Sequence, residues 1–194
     1  MPVGAAQAAF REAAASDGIQ LEVAKVSWIN QRGHLALPKV AAEIAGPALE
    51  AIFLALEGQT AAQLGKRVVA LPGDFYHAPT GTFIETDEMQ HFTSFRLRTL
   101  ELYPLGVPLG FDISFFKHLC RQWAPTADKY RAAKDATGFG PGGRQRQRAY
   151  NDSLRDLVIP AMGHPPVIRI PILNDNGAAA YLSHREMLLL PMSP

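Results

Sequence analysis

The chain has 194 residues, 47% hydrophobic and 19% charged, which predicts one folded domain, with or without an appendage, that can bury a sizeable core. The formal net charge is +1, so no global field favours nucleic acid or a membrane. A single cysteine, Cys120, excludes an intrachain disulfide and a cysteine-rich zinc site. No apolar run approaches the ~20 residues of a membrane helix. Together these two observations favour a cytoplasmic protein.

Residues 1–45 are predicted to form a helical extension. An Ala-rich stretch that contains Phe10 predicts a helix over residues 5–16. The alternation of apolar and polar side chains over residues 19–23 favours a short strand. Pro38 suits the first position of a further helix over residues 40–45.

The core of the domain is predicted to span residues 46–171. Gly46-Pro47 predicts a break between two helices, and the second helix has one strongly apolar face. Two short helices around such a break are compatible with a helix-turn-helix, but this second helix is too apolar to face DNA phosphates, so plain helical packing is favoured. Residues 67–71 and 75–77 are then predicted to be extended.

An acidic hairpin follows. Residues 82–87 predict a strand that returns along residues 75–77 after the turn Ala78-Pro79-Thr80-Gly81. Asp74 near the start of the first strand is expected to lie across the hairpin from Glu85, and Asp87 shares a face with Glu85. Neighbouring carboxylates repel one another, and a hard cation offsets that cost. The hairpin therefore predicts a site for Mg²⁺ or Mn²⁺.

The second half of the chain is basic. An insert of about residues 104–143 is predicted to be mostly helical, with the Gly-rich stretch 138–143 as a flexible linker. From Lys117 to Arg155 there are nine Lys or Arg against three acidic residues, which beside an acidic hairpin is the asymmetry of a phosphodiester binder. The side chains predicted to contact nucleic acid are Lys129, Lys134, Arg144, Arg146, Arg148 and Arg155.

The remaining elements complete an α/β pattern. Residues 144–159 predict an amphipathic helix with a buried stripe that includes Tyr150 and Leu154. Residues 167–170 form a mostly apolar run that suits an interior strand of a mixed sheet. A short helix from Tyr181 to Leu190 is expected in a C-terminal tail, residues 172–194, that packs on the core.

The order of these motifs resembles the PD-(D/E)XK, restriction-endonuclease-like nuclease superfamily, in particular its very-short-patch-repair-like branch. Asp74, a turn and then Glu-x-Asp-x-x-Gln-His over residues 85–91 carry the first half of the resemblance. Residues 152–156 and the strand 167–170 are similar to the family's D-x-x-R helix and the strand after it. Over residues 46–171 the resemblance implies a mixed central β-sheet flanked by helices and metal-dependent hydrolysis of phosphodiester bonds, with DNA as the expected substrate.

The resemblance also implies roles for individual residues. The implied metal ligands are Asp74, Glu85, the backbone near Thr86 or Asp87, and the helical acid Glu50; the implied catalytic residues are Asp74, Glu85, Asp87, Gln90 and His91. Asp87 stands where the family has its lysine, so charge stabilisation would fall to His91, Gln90 or a base from the insert, such as Lys129 or Lys134.

Two alternatives stay open. The missing lysine favours a catalytically inactive nucleic-acid-binding or interaction module with a nuclease-like fold. His77 and His91 as ligands would instead give a zinc or manganese hydrolase. No GxxxxGK, GxGxxG or GxSxG motif occurs, so nucleotide hydrolysis, dinucleotide binding and α/β-hydrolase chemistry have no support. A homodimer is compatible with cleavage of both strands, although no stretch of the sequence identifies a dimer face.

Overall fold

A four-stranded mixed β-sheet with helices on both faces forms the centre of the computed structural model, which describes residues 4–189. The strands lie in chain order: β1 (Glu22–Val23), β2 (Phe75–His77), β3 (Thr82–Glu88) and β4 (Ile168–Ile172). β1, β2 and β3 pair antiparallel, whereas β3 and β4 are parallel. The predicted α/β class and mixed sheet flanked by helices are therefore confirmed.

Seven α-helices lie within the described residues: α1 (Ala5–Ser16), α2 (Lys39–Ala55), α3 (Thr60–Leu64), α4 (Ser94–Glu101), α5 (Ile113–Ala127), α6 (Arg144–Ala161) and α7 (Gly177–Leu189). Short 3₁₀ turns occur at Gly33–Ala36 and Met89–His91. No helix within residues 4–189 combines the length and apolarity that crossing a membrane requires.

The sheet separates two hydrophobic layers. On one face, α1 and α7 pack against inward-facing strand residues that include Ile84 and Ile170. On the other face, α2, α4, α5 and α6 build a larger core that includes Phe83. Because side chains alternate along β3, Phe83, Glu85 and Asp87 share the face that meets α6. The carboxylates of the hairpin thus lie on the same face as the basic helix.

The predicted helix break at Gly46-Pro47 is wrong, because α2 continues through Pro47. Proline removes one backbone hydrogen bond from a helix interior. Ala45 and Leu49, on either side of it, are buried in the core that α2 shares with α6, and this packing outweighs the local signal. The boundary predicted between residues 45 and 46 accordingly falls inside α2, and β1 joins the sheet, so the N-terminal segment belongs to the α/β fold.

The Gly-rich stretch 138–143, expected to be a flexible linker, forms hydrogen-bonded turns. The backbone N–H groups of Ala136 and Gly143 both donate to the carbonyl of Gly140, whose φ of 69° favours glycine. Phe139 is buried, with its ring centroid 5.5 Å from that of Tyr150 in α6. The stretch therefore anchors the start of α6.

Two other elements differ from expectation. Residues 67–71 form no strand; within them Ala70 makes only an isolated bridge to Asn30. The last helix begins at Gly177, four residues before the expected Tyr181, and residues 190–194 of the predicted tail lie outside the described residues.

Candidate active site

A cleft of about 290 Å³ opens between the hairpin and α6, and we call it the hairpin cleft. Asp74, Glu85 and His91 line it from the hairpin side. The wall that α6 provides consists of Arg144, Arg148, Asn151, Asp152 and Arg155. An acidic floor thus faces a largely basic wall.

Asp74 and Glu85 are neighbours in this cleft. β2 and β3 are antiparallel and pair Phe75 with Ile84, so Asp74, just before Phe75, comes alongside Glu85, just after Ile84. The backbone N–H of Asp74 donates to Glu85 Oε1 at 3.1 Å. The N–H and hydroxyl of Thr86 both donate to Asp74 Oδ2, at 2.7 and 2.5 Å, which fixes the orientation of that carboxylate.

Gly73 allows the two acids to approach. A Cβ at this position would lie 2.3 Å from Glu85 Oε1, a distance that side-chain carbons do not adopt. Arg155 closes the other side, since its Nε lies 3.3 Å from the same Glu85 oxygen and its Nη2 donates to the carbonyl of Pro72 at 2.5 Å. Glu85 therefore lies between the backbone at Gly73 and the side chain of Arg155 in α6.

Both carboxylates are costly to ionise. Burial raises the pKa of Asp74, and the hydrogen bonds from Thr86 offset only part of that effect. Burial raises the pKa of Glu85 to about 7; Arg155 works against the shift and the charge of Asp74 adds to it. A bound cation would relieve both penalties, because it favours the ionised forms.

In the presence of a chelator, we expect the protein to lose stability as the pH rises from about 4.5 to about 7. Glu85 holds its proton more tightly folded than unfolded, so in this window the folded state binds more protons and the free energy of unfolding falls with pH. The shift corresponds to at most about 3 kcal/mol. Urea unfolding at pH 4.5 and pH 8 should show this loss in the parent and a smaller one in Glu85→Gln. Identical pH dependence of stability in the parent and in Glu85→Gln would contradict a raised pKa at Glu85.

Asp87 belongs to a neighbouring ionic cluster, which we call the Arg169 network. Both oxygens of Asp87 accept hydrogen bonds from Nη1 of Arg169 in β4, at 2.8 and 2.9 Å. Nε of Arg169 donates to Asp156 at 2.6 Å, and Arg96 from α4 donates to the other oxygen of Asp156, also at 2.6 Å. The Arg169 side chain is fully buried. Its charge compensates that of Asp87 and of Asp156.

His91 connects this network with the hairpin cleft. Its Nδ1 lies 3.1 Å from Asp152 Oδ2 and 3.2 Å from Asp87 Oδ1. Burial would lower the pKa of His91, but the two carboxylates, Asp152 above all, outweigh burial and raise it. Nε2 has no hydrogen-bond partner within residues 4–189. His91 can therefore carry a proton at the edge of the cleft.

Two places in the described residues offer ligands for a metal ion. Asp87, His91 and Asp152 bring one ligand atom each within 4.8 Å of one another. Arg169 and the His91 proton already satisfy these acids, so a cation there would have to displace an arginine. Arg155 is the counter-charge nearest the Asp74–Glu85 pair. One or two carboxylates with several waters is a donor set that Mg²⁺ accepts. The pair is therefore a second candidate position for a divalent cation.

Glu50 and Gln90 bond to other groups. Glu50 Oε2 lies 2.5 Å from Nε2 of His34, which in turn contacts the Tyr150 hydroxyl. The amide of Gln90 donates to Glu88, and its backbone carbonyl accepts from Arg148 at 2.9 Å. Neither side chain bonds to Asp74 or Glu85, so their predicted roles at the metal and phosphate have no contact to support them.

The two histidines of the zinc alternative lie at opposite ends of the hairpin. His77 pairs with Thr82 at the start of β3 and bonds through Nδ1 to Thr80 in the turn. His91 follows the end of β3, which at ~3.3 Å per residue is roughly 20 Å away. This arrangement gives the pair no shared metal.

The predicted nucleic-acid contacts fall into three groups. Arg144, Arg148 and Arg155 line the hairpin cleft, and Lys134 lines a second cleft beside it. Lys129 is exposed. Arg146 bonds to Glu57 and to the carbonyls of Phe139 and Pro141, so its guanidinium is engaged within the protein.

Sequence reasoning missed Asp152 and Arg169 as members of the site. A signal existed for each. Asp152 lies three residues before Arg155, and that spacing puts both on one face of α6. Arg169 interrupts an apolar strand, and a charged residue in such a strand needs a buried partner.

Comparison of the chain with protein-family models, with curated proteins and with solved structures finds no match. The functional assignment therefore depends on the chemistry of the hairpin cleft.

Proposed function

We propose that the protein is a metal-dependent nuclease that hydrolyses phosphodiester bonds, with DNA as the expected substrate. The observation that supports this most is the Asp74–Glu85 pair, with Glu85 buried and Asp74 partly buried, inside a cleft whose opposite wall carries three arginines. Carboxylates bind a divalent cation, and arginines bind phosphate oxygens.

Asp74 and Glu85 would hold Mg²⁺ or Mn²⁺. The bound ion would supply positive charge at the phosphate and a more acidic water. Thr86 contributes by fixing Asp74 through two hydrogen bonds, so the carboxylate is oriented before a cation arrives. Gly73 contributes by leaving room for Glu85.

Arg155 is the cation nearest the carboxylate pair, and we assign it the charge-stabilising role that the family gives to lysine. His91 would protonate the leaving oxygen through Nε2, since Asp152 and Asp87 hold its Nδ1. Arg144 and Arg148, on the same wall of the cleft, would hold the phosphate backbone. The order α2, β2, β3, α6, β4 supports the proposed likeness to PD-(D/E)XK nucleases except at one strand, since residues 67–71 form none.

One observation favours the second candidate, an inactive nucleic-acid-binding module. The charge of Asp87, which by the proposed likeness stands where the family has its lysine, is compensated by the buried Arg169 and does not face the cleft. Binding by α6 would then remain without turnover.

The test is cleavage of labelled single-stranded, duplex and mismatched DNA and of RNA, with Mg²⁺, with Mn²⁺ and with EDTA. We expect cleavage of at least one DNA substrate that requires the metal and stops with EDTA. Inert protein that still binds DNA would favour the binding module, and cleavage that persists in EDTA would contradict the metal-dependent mechanism.

A further inference from the structure

A second cleft, of about 420 Å³, adjoins the hairpin cleft and shares Leu71, Arg144 and Asn151 with it. We call it the basic recess and define it by Lys66, Lys134 and Arg144. Its volume is within the range of small-ligand sites, about 300–1,000 Å³. The shared wall makes the two clefts neighbours along one surface.

The basic recess has an excess of positive charge. Within residues 4–189, Lys66 and Lys134 make no ion pair and no side-chain hydrogen bond. Arg144 donates through Nη1 to Gln147 at 2.6 Å. The one acid of the lining, Asp135, accepts the backbone N–H of Gly142. The three cations repel one another, and the single carboxylate offsets only part of that repulsion. A bound anion would offset the rest.

Of the three cations, Lys66 gives the strongest indication that the recess binds an anion. It is partly buried, and its Nζ lies 5.9 Å from the centre of the Phe139 ring. Burial lowers the pKa of Lys66, because the ammonium has lost part of its hydration without gaining a partner. An anionic ligand would supply that partner.

The start of α6 adds to the attraction. This 18-residue helix begins at Arg144, and Gly143 before it supplies no side-chain cap. The positive end of the helix dipole thus lies at the recess, where an anion is favoured. The amides of Gln31 and Asn151 also line the recess and make no side-chain hydrogen bond within residues 4–189, so they can serve a sugar or base.

We propose that the basic recess binds a phosphate of a nucleic-acid strand whose neighbouring phosphodiester lies at Asp74 and Glu85. This inference rests on the proposed nuclease function. Arg144 lines both clefts and would contact both phosphates, while Lys66 and Lys134 would contact only the phosphate in the recess. The recess thereby sets which bond of the strand reaches the carboxylate pair.

The test measures binding of a labelled DNA oligonucleotide by fluorescence anisotropy in EDTA, over a range of salt concentrations. Lys66→Met should weaken binding about tenfold, the worth of one charged hydrogen bond. It should also reduce the slope of log K against log salt by about 0.7 to 0.9. Lys134→Met should act in the same direction. The matched control is Lys39→Met, because Lys39 is 90% exposed in α2 and lines neither cleft.

Two results would overturn the inference. One is Lys66→Met protein that melts like the parent and binds the oligonucleotide as tightly as Lys39→Met does. The other is a mononucleotide that binds the parent as tightly as the oligonucleotide, which would make the ligand a free nucleotide. Loss of affinity in the exposed Lys134→Met variant supports the recess even if Lys66→Met unfolds. Lys66-dependent binding without any metal-dependent cleavage would support the recess and refute the nuclease.

Discussion

Replacing Asp74 with Asn should reduce metal-dependent cleavage about a hundred- to a thousandfold, the usual cost of removing one group that stabilises transition-state charge. The amide keeps one oxygen for the Thr86 hydrogen bonds, so the hairpin should retain its shape. What it loses is the negative charge that, with Glu85, would hold the cation. Calorimetric titration with Mn²⁺ should therefore show weaker metal binding in parallel with the loss of rate.

Glu88→Gln is the matched control. Glu88 is the last residue of β3 in the same hairpin, but it bonds to Gln90 and does not line the hairpin cleft. Its neutralisation removes the same charge from the hairpin and should leave the rate within a few-fold of the parent. Equal rate losses in both variants would point to general hairpin electrostatics and against a metal at Asp74. Full activity in Asp74→Asn would place the site elsewhere.

The hairpin was predictable because its signals are local. A four-residue turn with Pro79 and Gly81 sets the register, and the register brings Asp74 to Glu85. The fate of Asp87 was not predictable in this way. Its partner Arg169 lies 82 residues further along the chain, and only the parallel pairing of β3 with β4 brings them together. Long-range contacts of this kind leave no periodic signal.

The helix around Pro47 and the basic recess show two further limits of local reasoning. At Pro47, burial of the flanking residues against α6 overrides a strong local break signal. The recess is assembled from separate stretches of chain, because Gln31 and Lys66 are far in sequence from each other and from Lys134 and Arg144. Composition indicated a basic region, but only the fold shows which of its cations face a common cavity and which, like Arg146, bond to the protein itself.

Arg169→Met should lower the free energy of unfolding by about 3–5 kcal/mol, the usual cost of removing one partner from a buried ion pair. Arg169 is fully buried and bonds to Asp87 and Asp156. Arg96 still compensates Asp156 in the variant, so the cost should fall mainly on Asp87. Urea unfolding at neutral pH measures the effect.

The control for this prediction is Arg185→Met, since Arg185 is 51% exposed and its nearest approach to Asp17 is 3.8 Å. Such a surface pair contributes about 0–1 kcal/mol. Adding Asp87→Asn to Arg169→Met should recover part of the lost stability, because the uncompensated charge is then gone. Mn²⁺ should also stabilise Arg169→Met more than the parent, because the arginine no longer competes for the Asp87, His91 and Asp152 ligands. Equal stabilisation of both proteins by Mn²⁺ would show that Arg169 does not block cation binding at these three residues. The proposal that the cation binds at Asp74 and Glu85 would then need another argument.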